Sequence, residues 1–363
     1  MTAAAWSLPP LPHARTPLLL LDLEAFERNV ARMVHAIIVQ GGKQWRPHVK
    51  AIRSPALACR LLQAGATGVT CSTVDEAQAM VDGGVPDVLV ASQVVQPQQL
   101  ERLAALNRRA RVAVALDHPR QLELAAAAAR QAQVRLPVLV EVEVGLQRAG
   151  TSPGAATLAL ARQVHAESAL ALRGLMAWEG HTTRIPDPAA KAAAIRHAIG
   201  QLSASAALCR EAGLPVEVVS CGGTGTFETT STLAGVTELQ AGGGLFGDLR
   251  YREDFGVPLE PALRLCATVL ARPTSTRIVC DAGFKALAVY PKPPQPVGLE
   301  QVASMAHAAE HLTLHLHAPA ERPTIGERIA FDIGYADATT FLHKQIACMR
   351  AGNVEGFHAL PAR

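Results

Sequence analysis

From about residue 45 the chain repeats one alternation: a short apolar or β-branched run, then a helix-like stretch. The runs are "QWRPHVK" (44–50), "GVTC" (68–71), "DVLVAS" (87–92), "RVAVALD" (111–117), "LPVLVEVEV" (136–144), "LRGLMAWEG" (172–180), "VEVVSCGG" (216–223) and "TELQAGG" (237–243). Between them lie segments such as "STVDEAQAMVDGG", which Ser72 or Thr73 can cap and Gly83 can end. Apolar strands separated by amphipathic helices imply a parallel sheet covered on both faces. Eight of them predict a closed (β/α)8 TIM-type barrel, which takes roughly 250 residues; an open doubly wound sheet is the alternative.

After about residue 256 the rhythm changes. "PALRLCATVLARPTSTRIVCDAG", "HLTLHLHAP" and "GERIAFDIGYADATTFLHKQIACMRAGNVEGFHAL" alternate as antiparallel strands do, with Pro and Gly between them. The expected organisation is an N-terminal segment (1–22) packing with the β domain, a barrel (23–255) and a C-terminal, mostly antiparallel β domain (256–363). The opening "TPLLLLDLEAFERNVARM" reads as a strand running into a helix.

Bulk properties narrow the function. The 363 residues are 49% hydrophobic but only 4% aromatic, and the net charge is +3 with acids and bases interspersed. That argues against nucleic acid or a membrane surface as partner. No apolar run reaches the roughly 18 residues that span a bilayer. The start lacks the basic-then-apolar pattern of a signal peptide. Seven scattered cysteines without CxxC spacing read as reduced core thiols, so a cytoplasmic location is expected.

In a barrel, chemistry collects at the C-terminal ends of the strands. Lys50 ends the first strand, Arg148 follows the fifth, and Glu179 and His181 follow the sixth. The seventh and eighth end in the glycine-dense loops "SCGGTGTFE" (220–228) and "QAGGGLFGD" (240–248). Loops at those two positions often bind phosphate, because small residues let backbone N–H groups face an anion. A lysine across the mouth from a phosphate cradle points to pyridoxal 5'-phosphate, which needs an amine for its Schiff base and an anion site for its phosphate. The amine reacts neutral, and its ordinary pKa is about 10.4, so burial or cations such as Arg46 and Arg148 must lower it.

These residues resemble a known family. "RPHVK", "GATGVTCSTVDEAQAM", "VASQVV", "VEVGLQRAG", "GGTGTF", "ELQAGGGLFGD", "VCDAGFKAL" and "AAEHLTL", in this order, are similar to the D-threonine aldolase and D-serine dehydratase family of fold-type III pyridoxal-phosphate enzymes, whose barrel is related to that of alanine racemase. The resemblance runs from about residue 16 to the C-terminus. It implies that Lys50 carries the cofactor, that Arg148 lies close to the pyridoxal ring, and that Gly222, Gly223, Thr224, Gly225, Gly243 and Gly244 surround the phosphate. It also implies a homodimer with the active site near the partner's β domain.

The chain departs from the family where the family holds a divalent metal, at a His followed two residues later by a Cys or Asp. The corresponding run here is "DIGYADATTFLH", with Tyr335 in the histidine's place, Ala336 next and Asp337 beyond. Neutral tyrosine and alanine are poor ligands, so no metal is expected; Asp337 with His343 is the alternative site. Arg184 stands where the aldolases carry a His after the sixth strand, and His181 is near enough to substitute. The resemblance implies a lyase, by aldol cleavage or dehydration, acting through an external aldimine on a D-3-hydroxy amino acid; the expected catalytic residues are Lys50, as base or proton carrier, and His181 and Tyr335, with Glu179 a further candidate to handle the second proton. The missing ligands favour, as alternatives, a metal-independent racemase or epimerase; a non-catalytic cofactor carrier stands further off.

Overall fold

The computed structural model describes residues 14–361, so residues 1–13 of the expected N-terminal segment lie outside it. The chain forms two compact units: Val30–Gly243, and the residues up to Asn29 together with those from Gly244 onward.

Strand β1 (Leu18–Asp22) belongs to the second of these units. The first unit is built on β2 (Gln44–Trp45), β3 (Val69–Cys71), β4 (Asp87–Val90), β5 (Arg111–Leu116), β6 (Leu136–Glu141), β7 (Leu170–Met176), β8 (Val218–Cys221) and β9 (Glu238–Leu239). All are parallel, in the order β2-β9-β8-β7-β6-β5-β4-β3. A parallel bridge between His48 and Thr70 closes the ring, with Thr70 N–H on the Pro47 carbonyl at 2.9 Å and Val49 N–H on the Thr70 carbonyl at 2.8 Å. This is the expected eight-stranded barrel. Its strands are buried nearly throughout, which explains why they read as unbroken apolar runs rather than alternating ones.

The helices start where capping residues stand. Thr73, not Ser72, caps Val74–Asp82: its hydroxyl accepts the Glu76 N–H at 3.2 Å while the Glu76 carboxylate accepts the Ser72 N–H at 2.7 Å, a reciprocal box. Asp187 accepts the Ala190 N–H at 2.7 Å ahead of the long helix Pro188–Glu211. Between β8 and β9 only the four-residue helix Phe227–Thr230 remains, so the backbone of the seventh loop folds back close to the barrel mouth. The crossing of β7 and β8 tolerates no side chain: a Cβ on Gly174 would overlap the Val218 carbonyl.

The second unit adds β10 (Leu263–Thr274), β11 (Arg277–Cys280), β12 (Gln295–Pro296), β13 (Val302–His307), β14 (Leu312–Leu316), β15 (Arg328–Asp332), β16 (Gln345–Arg350) and β17 (Asn353–Ala359). Its sheet runs β13-β14-β11-β10-β1-β16-β17, with β15 pairing β10 and β12; every pairing is antiparallel except β1 with β16. The antiparallel reading therefore holds, with one exception. The stretch expected to be strand around Tyr335 carries a short helix, Ala336–Thr339, and a 3-10 turn, Thr340–Leu342. Asp248 accepts the Ala336 N–H at 2.8 Å, and the Thr340 hydroxyl donates to the Ala336 carbonyl at 3.0 Å. The tertiary bond from Asp248 and the local one within the turn together override the β propensity of Thr-Thr-Phe. Among the described residues no disulfide links the cysteines, and no helix is long and apolar enough to cross a membrane.

Candidate active site

The first strand explains the lysine's placement. β2 ends at Trp45, the chain runs on through the His48 bridge to Thr70, and Lys50 lies in the turn just beyond. Arg46 sits lowest, bonded to Asp87 at 2.7 Å and Glu238 at 2.8 Å. Its charge is thus matched by two carboxylates, which removes it as the free cation expected beside Lys50. His48 follows, its Nδ1 accepting a long 3.4 Å bond from the Lys50 backbone N–H. Burial pushes the imidazole well below its ordinary value, and the charges of Lys50 and Arg148 push it further. His48 is therefore neutral, and Lys50 and Arg148 are both near it. The sequence reading missed His48; its two-residue spacing from Lys50 was the available signal.

Arg148 lies in the loop after β6. Its Nη2 is 3.9 Å from Glu141, a carboxylate that burial pushes up and that a Gln93 amide hydrogen bond pulls back down. The same loop wraps around Glu143, which accepts the Arg148 N–H at 3.1 Å and the Gly145 N–H. Those backbone bonds outweigh partial burial and hold Glu143 below the usual carboxylate range. His181, on the 3-10 turn Gly180–Arg184, lies against Gly145, where a Cβ would overlap its ring. The structure thus brings the loops of Arg148 and His181 together. Arg184 is exposed at the end of that turn.

The seventh-strand loop is organised by Glu179, which sequence inspection singles out only as a proton-handling group. Its carboxylate is buried and accepts three bonds: the Thr226 hydroxyl at 2.7 Å, the Thr230 hydroxyl at 2.9 Å and the Gly222 N–H at 3.2 Å. Burial raises its pKa and these three donors oppose the rise. Thr226 in turn accepts the Gly223 N–H at 3.0 Å. Gly222 has φ +79°, a left-handed conformation that glycine adopts without strain, and a Cβ on Gly223 would overlap the Trp178 indole. Trp178 was also missed. Thr224 and Gly225 are buried in the same loop, and Gly243 closes the barrel unit after β9.

Gly244 and Tyr335 belong to the other unit. There the Tyr335 hydroxyl donates to Asp337 at 2.7 Å, and the Arg250 guanidinium lies 4.6 Å above the Tyr335 ring. Behind them Asp248 is buried, accepting the N–H groups of Tyr251 and Ala336. Burial, with a contribution from the Asp337 charge, raises its pKa to about 7. Since an unfolded Asp titrates near 3.9, the native chain holds one proton more than the unfolded chain between about pH 4 and 7. Stability is then greatest below that window and falls as pH rises through it, by up to about 1.4 kcal/mol per pH unit. Urea unfolding of the wild type against Asp248→Asn across that range is expected to show this slope in the wild type alone.

Residues 21–250 match the family model "Alanine racemase, N-terminal domain", and residues 262–349 match "Putative serine dehydratase domain". Over 357 residues the chain is 34% identical to a D-threonine aldolase of an Arthrobacter species, covering 98% of this chain and 94% of that one. It belongs to the D-threonine aldolase and D-3-hydroxyaspartate dehydratase family. That family uses pyridoxal phosphate and carries the alanine racemase N-terminal domain. The crystal structure of D-threonine aldolase from Filomicrobium marinum superposes with a TM-score of 0.92 at 33% identity, covering 98% of each chain. D-threo-3-hydroxyaspartate dehydratase from Delftia sp. HT23 gives 0.86 at 26% identity, covering 98% of this chain and all of that one. Solved forms of such a dehydratase include a His-to-Ala substitution and, two positions further on, a Cys-to-Ala substitution described as being in the metal-free form.

Whether pyridoxal phosphate fits is decided by the residues present. A primary amine lies in the turn just beyond β2, and a loop of small, mostly buried residues follows β8, packed so close to Trp178 that residue 223 has no room for a Cβ. The residue types fit the group's two demands, an amine for its carbonyl and a small, buried loop for its phosphate.

Proposed function

We propose that this chain is a pyridoxal-phosphate-dependent lyase acting on a small D-configured 3-hydroxy amino acid, by aldol cleavage or by dehydration. The observation that carries the reading is the pairing of Lys50 with the Glu179-organised glycine loop at the strand ends of one barrel, in a chain 34% identical to a D-threonine aldolase. When bound, the cofactor stabilises negative charge developing at the substrate Cα.

The protein's own residues supply the rest. Lys50 carries the cofactor and moves the proton at Cα. Neutral His48 beneath it adds no third positive charge, so the Lys50–Arg148 pair is the local source of positive potential. Arg148 lies by the ring, with Glu141 fixing its guanidinium. Glu179 does not handle protons in this reading; its three hydrogen bonds shape the loop of Gly222, Gly223, Thr224 and Gly225 around the phosphate. His181, exposed on its turn, handles the second proton. We read the working protein as a homodimer.

Turnover of a panel of D- and L-3-hydroxy amino acids by the cofactor-loaded protein tests this. Aldehyde or 2-oxo acid release from D-substrates alone is expected. Interconversion of enantiomers without release, in keeping with the racemase-type domain at residues 21–250, would replace the lyase reading.

A further inference from the structure

We infer that the residues around Tyr335 do not hold a divalent ion, so that this chain handles the substrate hydroxyl without one. The inference rests on the lyase reading above and concerns how that reaction is supported.

A bound divalent ion needs several oxygen, nitrogen or sulfur donors with lone pairs directed at one point. The Tyr335 hydroxyl, both Asp248 oxygens and the His343 ring are already engaged; no hydrogen bond reaches the buried Asp337 Oδ1, but one oxygen is not a coordination sphere. The Tyr335 hydroxyl is a hydrogen-bond donor, giving its proton to Asp337 Oδ2 at 2.7 Å. To ligate strongly it would have to give up that proton. Both oxygens of Asp248 accept backbone N–H groups, Oδ1 from Tyr251 at 3.1 Å and Oδ2 from Ala336 at 2.8 Å. His343, the other residue considered as a ligand, has its Nε2 on the Ala286 carbonyl at 2.7 Å. Among the described residues no three His, Cys, Asp or Glu side chains gather as a metal-binding group.

Charge leads to the same conclusion. The Arg250 guanidinium stacks 4.6 Å from the centre of the Tyr335 ring. A permanent cation there repels a divalent ion at close range. Arg250, Tyr335 and Asp337 thus form a preassembled polar cluster and not a coordination sphere.

The test is metal stoichiometry, read independently of activity. Holoenzyme purified without chelator is expected to hold far less than one divalent ion per chain by plasma mass spectrometry. It should show no stoichiometric Mn²⁺ binding by calorimetry and should keep its turnover of D-3-hydroxy substrates after EDTA. Tyr335→Phe and Arg250→Met are expected to leave the metal content unchanged. The double variant Tyr335→His/Arg250→Ala removes the fixed cation and pairs an imidazole with Asp337, and is expected to gain about one Mn²⁺ per chain. A wild-type chain that retains one ion, released by Asp337→Asn, would overturn the inference, as would a folded double variant that still rejects Mn²⁺. If the double variant does not fold, wild-type stoichiometry decides alone. Absence of all turnover with Lys50 unlabelled would instead remove the lyase reading and leave the metal measurement standing.

Discussion

Lys50→Ala is expected to abolish covalent capture of pyridoxal phosphate and to reduce turnover on the order of 10³-fold or more, the scale seen when a nucleophile acting in a catalytic unit is lost. The measurement is borohydride reduction of the cofactor-loaded protein followed by peptide mass mapping. Wild type should carry the reduced phosphopyridoxyl group on Lys50 and Lys50→Ala should carry none. Stability should hardly change, because residue 50 lies in a turn beyond the barrel's hydrogen-bonded bridge at His48 and Thr70. Label on any other lysine, with Lys50 unmodified, would remove the present account of the site. A subtler arm separates His48 from Lys50. His48→Phe keeps a planar ring and drops only the polar atoms, so it should preserve labelling while altering the pH at which labelling sets in. A pH profile unmoved by His48→Phe would mean that the imidazole is packing material only.

The barrel was legible because its information is local. Each strand is buried on both faces, so each announces itself as a short apolar run, and cap residues such as Thr73 and Asp187 mark where the helices begin. Lys50 and the two glycine loops were legible for a related reason: barrel topology assigns strand ends to the mouth without any knowledge of contacts. What stayed hidden depends on convergence. Glu179 reads as a lone carboxylate after a strand, and nothing within its own segment says that Gly222, Thr226 and Thr230 will all donate to it. Arg46 looked like a cation free to act on Lys50 until β4 and β9 brought Asp87 and Glu238 against it. The turn around Tyr335 was read as strand because its Thr and Phe residues favour extended chain, while the bonds that curl it come in part from Asp248, far away in sequence. Arg250 was invisible for the same reason: its partner in stacking lies on a distant segment.

That convergence makes Glu179 the second position where one substitution should act strongly, and the effect can be apportioned. Glu179→Ala removes the acceptor from two hydroxyls and one backbone N–H in a buried setting, at a cost of about 3–5 kcal/mol in stability. Glu179→Gln keeps a carbonyl acceptor for some of these donors, but its NH₂ then faces one of them, so a smaller loss of about 1–2 kcal/mol is expected. Urea unfolding of the apo proteins measures both. The functional consequence separates by ligand. If Glu179 serves to hold the Gly222–Thr226 loop in a phosphate-binding shape, Glu179→Gln should weaken pyridoxal phosphate markedly while leaving pyridoxal, which lacks the phosphate, almost unaffected. Equal weakening of both would place the damage at the ring or at Lys50 instead. The ordering of the two variants is informative too. Should Glu179→Gln prove as harmful as Glu179→Ala, the carboxylate's geometry, with both oxygens accepting, is what the loop requires, and the Thr226 link to the Gly223 N–H collapses whenever one oxygen is replaced by a donor.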